Sequence, residues 1–72
     1  MKRDELRLRK EFYREQEIRV AIRDYAGIAS VGLIEEEDYF VCRFCACRAE
    51  PRLVMSEFAN YVLGLTVKGH AV

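Results

Sequence analysis

The most constraining feature of the sequence is a segment in which both alternating sets of side chains are largely apolar. In residues 39–47, YFVCRFCAC, one set is Phe40, Cys42, Phe44 and Ala46, and the other holds a tyrosine, a valine, an arginine and two cysteines. Successive side chains of a strand point to opposite faces of a sheet. A strand that is apolar on both sides is typical of the middle of a sheet. We therefore predict that this strand is central.

The residues before this strand predict its hairpin partner. Val31 and Leu33 share one face of a second extended segment, SVGLI. The acidic run at residues 35–38, EEED, resists burial and so predicts an exposed turn between the two strands.

A further strand is predicted near the N-terminus. In residues 5–13, ELRLRKEFY, the apolar residues Leu6, Leu8 and Phe12 alternate with charged ones, which indicates a half-buried strand. Lys10 interrupts the apolar set, and a helix that begins at Asp4 is the alternative.

Two segments, one before and one after the hairpin, have helical spacing instead. Gly27 marks the end of the first helix. Pro51 suits the first turn of the second, for which Gly64 and Gly69 are two candidate ends. The apolar stripes are Ile18, Ile22, Tyr25 and Ala29 in the first helix, and Val54, Phe58, Tyr61 and Leu65 in the second.

Together these elements predict a single α+β domain over residues 1–72, with the order β-α-β-β-α and both helices on one face of a three-stranded sheet. Nothing in the predicted fold covers the other face. We call this surface the open sheet face; its residues are Arg7, Arg9, Ile34, Tyr39, Val41, Arg43 and Cys45, and Cys47 is expected beside them.

Length and composition restrict the class of protein. The 72 residues, 51% hydrophobic and 33% charged, are typical of one globular domain. The formal net charge of zero argues against a nucleic-acid binder that uses the arginines and tyrosine of the open sheet face, because such proteins carry excess cations. No apolar run approaches the ~20 residues that span a bilayer, and the N-terminus has no signal peptide. We therefore expect no membrane partner and a cytoplasmic protein with reduced thiols.

The three cysteines raise the question of a metal or redox site. Cys42, Cys45 and Cys47, with His70, are the candidate ligands. A tetrahedral zinc site needs about four converging ligands, whereas alternation along a strand directs Cys42 away from the other two. Redox cysteines commonly open a helix, and these lie in a predicted strand. We therefore expect no cofactor, and a small metal- or redox-active protein is the alternative.

The sequence shows no combination of residues that suggests an enzyme. Ser30 and Ser56 have no histidine nearby in the sequence, and no glycine-rich phosphate-binding loop is present. We expect a non-catalytic protein. Asn60, next to the apolar stripe of the second helix, is either solvent-facing or part of an interface.

Two segments together resemble a known family. LRLRKEFYREQEIRVAIRDYAG and SEFANYVLGLTV are similar to the HxsD-like small proteins of the His-Xaa-Ser peptide-maturation system. The matching positions are Tyr13, Ile18, Glu57, Phe58, Asn60, Tyr61 and Leu63. The resemblance implies an accessory protein that is encoded beside radical SAM enzymes that modify a peptide. The cysteine cluster is not part of the family pattern.

These observations favour a non-catalytic accessory or adaptor protein. A core built by a chain this short is only marginally stable, and an apolar sheet face is rarely left in water. We therefore expect a homodimer, or a protein or peptide partner bound to the open sheet face or to an edge strand.

Overall fold

The order of the elements is the predicted one. The computed structural model describes the backbone of residues 4–70 and the side chains of residues 4–67. The elements are β1 (Glu5–Arg9), α1 (Glu15–Asp24), β2 (Ser30–Glu35), β3 (Tyr39–Cys45) and α2 (Pro51–His70). The α+β class is confirmed.

The sheet places β3 in the middle, as its apolar pattern predicts. The strand order is β1-β3-β2, and β3 is antiparallel to both neighbours. β1 and β2 are therefore parallel to each other, and α1 connects them across β3. Cys42 lies at the centre of the sheet, opposite Leu6 on one side and Leu33 on the other.

Both helices pack on one face of this sheet, and their aromatic residues join the layers. The Phe58 ring of α2 meets the Phe44 ring of β3 edge-on at 5.1 Å and the Tyr25 ring at 5.4 Å. Phe58, Ile18, Val62 and Cys42 have the largest fully buried side chains. The core residues are Leu8, Ile18, Ala21, Ala29, Phe40, Cys42, Phe44, Val54, Phe58 and Val62.

The second helix is longer than its glycines suggest. It begins at Pro51, as predicted, and the Glu50 carboxylate accepts a hydrogen bond from the backbone N–H of Leu53 at 3.2 Å. The helix continues through Gly64 to His70. A glycine inside a helix costs only about 1 kcal/mol, and the burial of Val62 before Gly64 offsets that cost.

The prediction for Phe12 is wrong, because β1 ends at Arg9. The Arg9 carbonyl accepts hydrogen bonds from the N–H groups of Phe12 and Tyr13, so the chain turns here. The Phe12 side chain is 60% exposed, and Tyr13 packs against the core in its place.

The predicted alternation also fails at the end of β3. Ala46 has a φ of 52°, which ends the extended conformation after Cys45. Ala46 is therefore exposed rather than directed into the core. Cys47, expected on the open sheet face, packs against the core instead.

Candidate functional site

The register brings the residues of the open sheet face together, but this face is less apolar than expected. Val41 lies between Arg7 on β1 and Ile34 on β2. Its side chain is only 3% exposed, although it lies outside the main core. The expectation of an exposed Val41 is wrong, and Ile34, at 37% exposure, is the exposed aliphatic residue of this row.

The cover over this part of the sheet comes from long charged side chains. The Arg7 guanidinium lies 4.6 Å from the centre of the Tyr39 ring and donates a 3.0 Å hydrogen bond to Glu36. This ion pair spans β3 on the open sheet face. A second pair, Lys10 with Glu35 at 2.6 Å, lies on the other face of the sheet, where Lys10 is 5.3 Å from the Phe40 ring.

Each arginine of the open sheet face has an acidic partner in the same chain. Arg7 pairs with Glu36 at 3.0 Å, Arg9 with Glu11 at 3.0 Å and Arg43 with Glu5 at 2.8 Å. Exposed pairs of this kind contribute at most about 1 kcal/mol each. Their consequence is local neutrality: an acidic partner would have to displace carboxylates that are already bound.

The three cysteines have different surroundings. Cys42 is fully buried, and burial raises the pKa of its thiol to about 11, so the thiol is protonated at neutral pH. Cys45 is exposed. Burial, with the negative charge of Asp4 as a smaller contribution, raises the pKa of the Cys47 thiol.

These positions do not converge on one point. Within the part of the chain whose side chains are described, no group of three or more histidine, cysteine or acidic residues is arranged to hold a metal ion. His70 ends α2, and its side chain lies outside the described residues.

The outer side of β2, which we call the β2 edge (Ser30–Glu35), has no neighbouring strand in the described sheet. No residue of β2 is fully buried. Ser30 to Ile34 carry no charge, whereas β1 at the opposite edge has the charged residues Glu5, Arg7 and Arg9. Charged side chains on an edge strand discourage pairing with another chain. Of the two edges, β2 is the one without that protection.

A second apolar surface lies on α2, on the side away from the core. It is exposed at Leu53 (55%), Leu63 (43%) and Val67 (59%). Ser56 and Asn60 are exposed between them. We call these five residues the α2 ridge.

The prediction of a single apolar stripe on α2 omitted this ridge, apart from Asn60. Its signal in the sequence is the absence of charge: no charged residue occurs between Glu57 and Lys68. A helix with one solvent face normally carries charges there, as α1 does with Glu15, Arg19 and Arg23. Apolar residues therefore lie on both sides of α2, one side packed on the core and the other exposed.

None of the described helices has the length and apolar character required to cross a lipid bilayer. Comparisons with known proteins give no further assignment: no family model, no curated protein and no solved structure matches this chain.

Proposed function

We propose that this protein is a non-catalytic accessory protein that binds an extended polypeptide segment as an additional strand on the β2 edge. The observation that carries the proposal is the contrast between the edges: β2 is an outer strand without charge from Ser30 to Ile34, and β1 is heavily charged. Strand addition gives main-chain hydrogen bonds, and alternate side chains give specificity.

The hydrogen-bond pattern defines which backbone groups of β2 a partner would use. The Glu36 N–H donates to the Tyr39 carbonyl at 2.8 Å. In an antiparallel ladder, alternate residues bond to the neighbouring strand, so Gly32 and Ile34 face β3. The N–H and C=O groups of Val31 and Leu33 then point outward and are the ones offered to an added strand.

The side chains beside these groups favour a partner with apolar residues. Val31 and Leu33 are half-buried against the core on one face of β2, and Ile34 is partly exposed on the other. An added strand with apolar side chains at successive positions would cover both faces of this edge.

The resemblance to HxsD-like proteins supplies the class of partner. A peptide under modification, or an extended segment of the modifying enzyme, would provide the added strand. The protein would work in the cytoplasm, where its thiols stay reduced. Cys42, Cys45 and Cys47 have no part in this binding.

Selection of a displayed library of extended random peptides against the immobilised full-length protein tests the proposal. We expect the selected peptides to slow amide exchange at Val31 and Leu33. Ile34→Lys, which places a charge on β2 without entering the core, should abolish this binding. Phe12→Lys, at an exposed apolar residue outside β2, is the matched control and should bind normally.

Peptides that bind Ile34→Lys as well as the wild type, or that protect amides outside β2, would contradict strand addition. The absence of any selected binder would do the same.

A further inference from the structure

We infer that the α2 ridge is the contact surface of a parallel homodimer, in which the α2 helices of two copies of this chain lie side by side. This dimer does not use the β2 edge, so it goes beyond the proposed function and leaves that edge free for a partner.

The spacing of the α2 ridge is that of a coiled-coil seam. Leu53, Ser56, Asn60, Leu63 and Val67 are separated alternately by three and four residues. Repeated apolar residues at this spacing form the seam along which two helices pack. Leu53, Asn60 and Val67 take the first position of the heptad, and Ser56 and Leu63 take the fourth. From Leu53 to Val67 the seam extends about 21 Å.

The composition of the seam fits a second copy of the same helix. In a parallel two-fold pair each residue meets its own counterpart, so Leu53 and Leu63 each meet an identical leucine. The exposed Asn60 is in the middle. An asparagine amide both donates and accepts hydrogen bonds, so it can pair with its own copy. A β-branched residue such as Val67 at the first position, with Leu63 at the fourth, favours two strands.

The charges next to the seam are complementary in the parallel orientation. Arg52 and Glu57 are exposed and flank the α2 ridge. In a parallel pair, a residue at the last heptad position faces the residue five places later on the other helix. Arg52 therefore faces Glu57 of the second copy, and symmetry repeats the contact. An antiparallel pair centred on Asn60 would instead bring Leu63 against Glu57 of the second copy.

The fold leaves room for this contact. The buried apolar side chains of α2, Val54, Phe58 and Val62, point into the core of their own domain. The exposed Leu53 and Leu63 lie on the other side of the helix. Two domains can therefore approach through α2 without any change in their cores.

Sedimentation velocity of the full chain over micromolar to millimolar concentrations tests the dimer. The wild type should dimerise, and Leu63→Glu should weaken association at least about tenfold, as loss of a central apolar contact does, with unchanged circular dichroism. Phe12→Glu, at an exposed apolar residue off the ridge, and Ile34→Lys, on the β2 edge, should sediment like the wild type. A wild type that stays monomeric throughout, or a Leu63→Glu variant that dimerises normally, would overturn the inference.

Cysteine cross-linking tests the orientation. In a Cys45→Ser, Cys47→Ser background, Leu53→Cys alone should form a disulfide-linked dimer on mild oxidation, because a parallel pair places the two positions together. Cross-linking only between Leu53→Cys and Val67→Cys chains would overturn the parallel arrangement.

Arg52→Glu and Glu57→Arg should each weaken the dimer, and the double variant should restore it. Failure of that restoration would also count against the parallel pairing.

Discussion

The phenolic oxygen of Tyr61 donates a 2.6 Å hydrogen bond to Asp24 Oδ2, which joins the middle of α2 to the last residue of α1. The Tyr25 ring lies 5.5 Å from the Tyr61 ring and 5.4 Å from the Phe58 ring. Phe58 in turn meets Phe44 on β3. These four aromatic rings form a continuous series of contacts from the sheet to the helix surface, and the hydrogen bond fixes its outer end.

Tyr61→Phe removes this hydrogen bond while it keeps the ring. We expect a small decrease in the urea midpoint of unfolding, because the bond is partly exposed and is replaced by water. The hydrogen bond to Asp24 raises the pKa of Tyr61, so the contribution is present below the ordinary pKa of 10 and is lost above it. Asp24→Asn combined with Tyr61→Phe should show coupling; strictly additive effects would contradict a direct interaction.

Cys42 predicts a pH dependence of stability. Burial raises the pKa of its thiol from 9.0 to about 11. Between these values the unfolded chain loses the proton and the folded chain keeps it, so stability decreases as pH rises, by at most about 1.4 kcal/mol per pH unit. Below pH 9 the effect is absent.

The matched control is Cys42→Val, which keeps an apolar side chain and removes the thiol. Tyr25 and Tyr61 also have raised pKa values, but they are present in both proteins, so the difference between the two stability profiles isolates Cys42. Equal slopes for wild type and variant between pH 9 and 11 would contradict this assignment.

The backbone conformation of Ala46 predicts that Ala46→Gly stabilises the protein. Its φ of 52° lies in the left-handed region, which costs a residue with a Cβ about 1 kcal/mol. Ala46→Gly should therefore raise the free energy of unfolding by up to about 1 kcal/mol, less the extra entropy of glycine in the unfolded chain. Chemical denaturation measures the change, with Ala26→Gly, at an exposed residue with negative φ, as a control that should lose stability. A loss of similar size at Ala46 would show that no strain is relieved there.

The sequence determines the order of the elements but not where its alternation stops. The central position of β3 follows from apolar residues on both of its faces, and the turn follows from Glu36 to Asp38. The placement of Cys47 does not, because a single positive φ at Ala46 reverses the direction of the next side chain. Local propensity gives no warning of this, since alanine rarely adopts that conformation.

The sequence predicts the surfaces less well than the core, because exposure depends on long side chains from neighbouring strands. Strand alternation correctly assigns Val41 to the face opposite the core. Alternation does not predict the conformation of the Arg7 side chain, which lies over the Tyr39 ring and pairs with Glu36. The lack of charge after Glu57 indicates the α2 ridge, but helical periodicity alone picks out only the apolar stripe that packs on the core.

Substitution of Val41 tests whether side chains of the same chain cover the open sheet face. With 3% of its surface exposed, Val41→Ala should lower the free energy of unfolding by about 1–2 kcal/mol, as in a core. Ile34→Ala, in the same row and 37% exposed, should cost clearly less. Urea denaturation of both variants gives the comparison.

The role of the cover itself is tested by Arg7→Ala. If the Arg7 side chain shields Val41 from water, its removal leaves Val41 exposed, and the later loss of Val41 then costs less. The double variant should therefore be more stable than the sum of the two single effects predicts. Strict additivity would mean that Arg7 does not exclude water from Val41, and equal costs at Val41 and Ile34 would mean that this face is open after all.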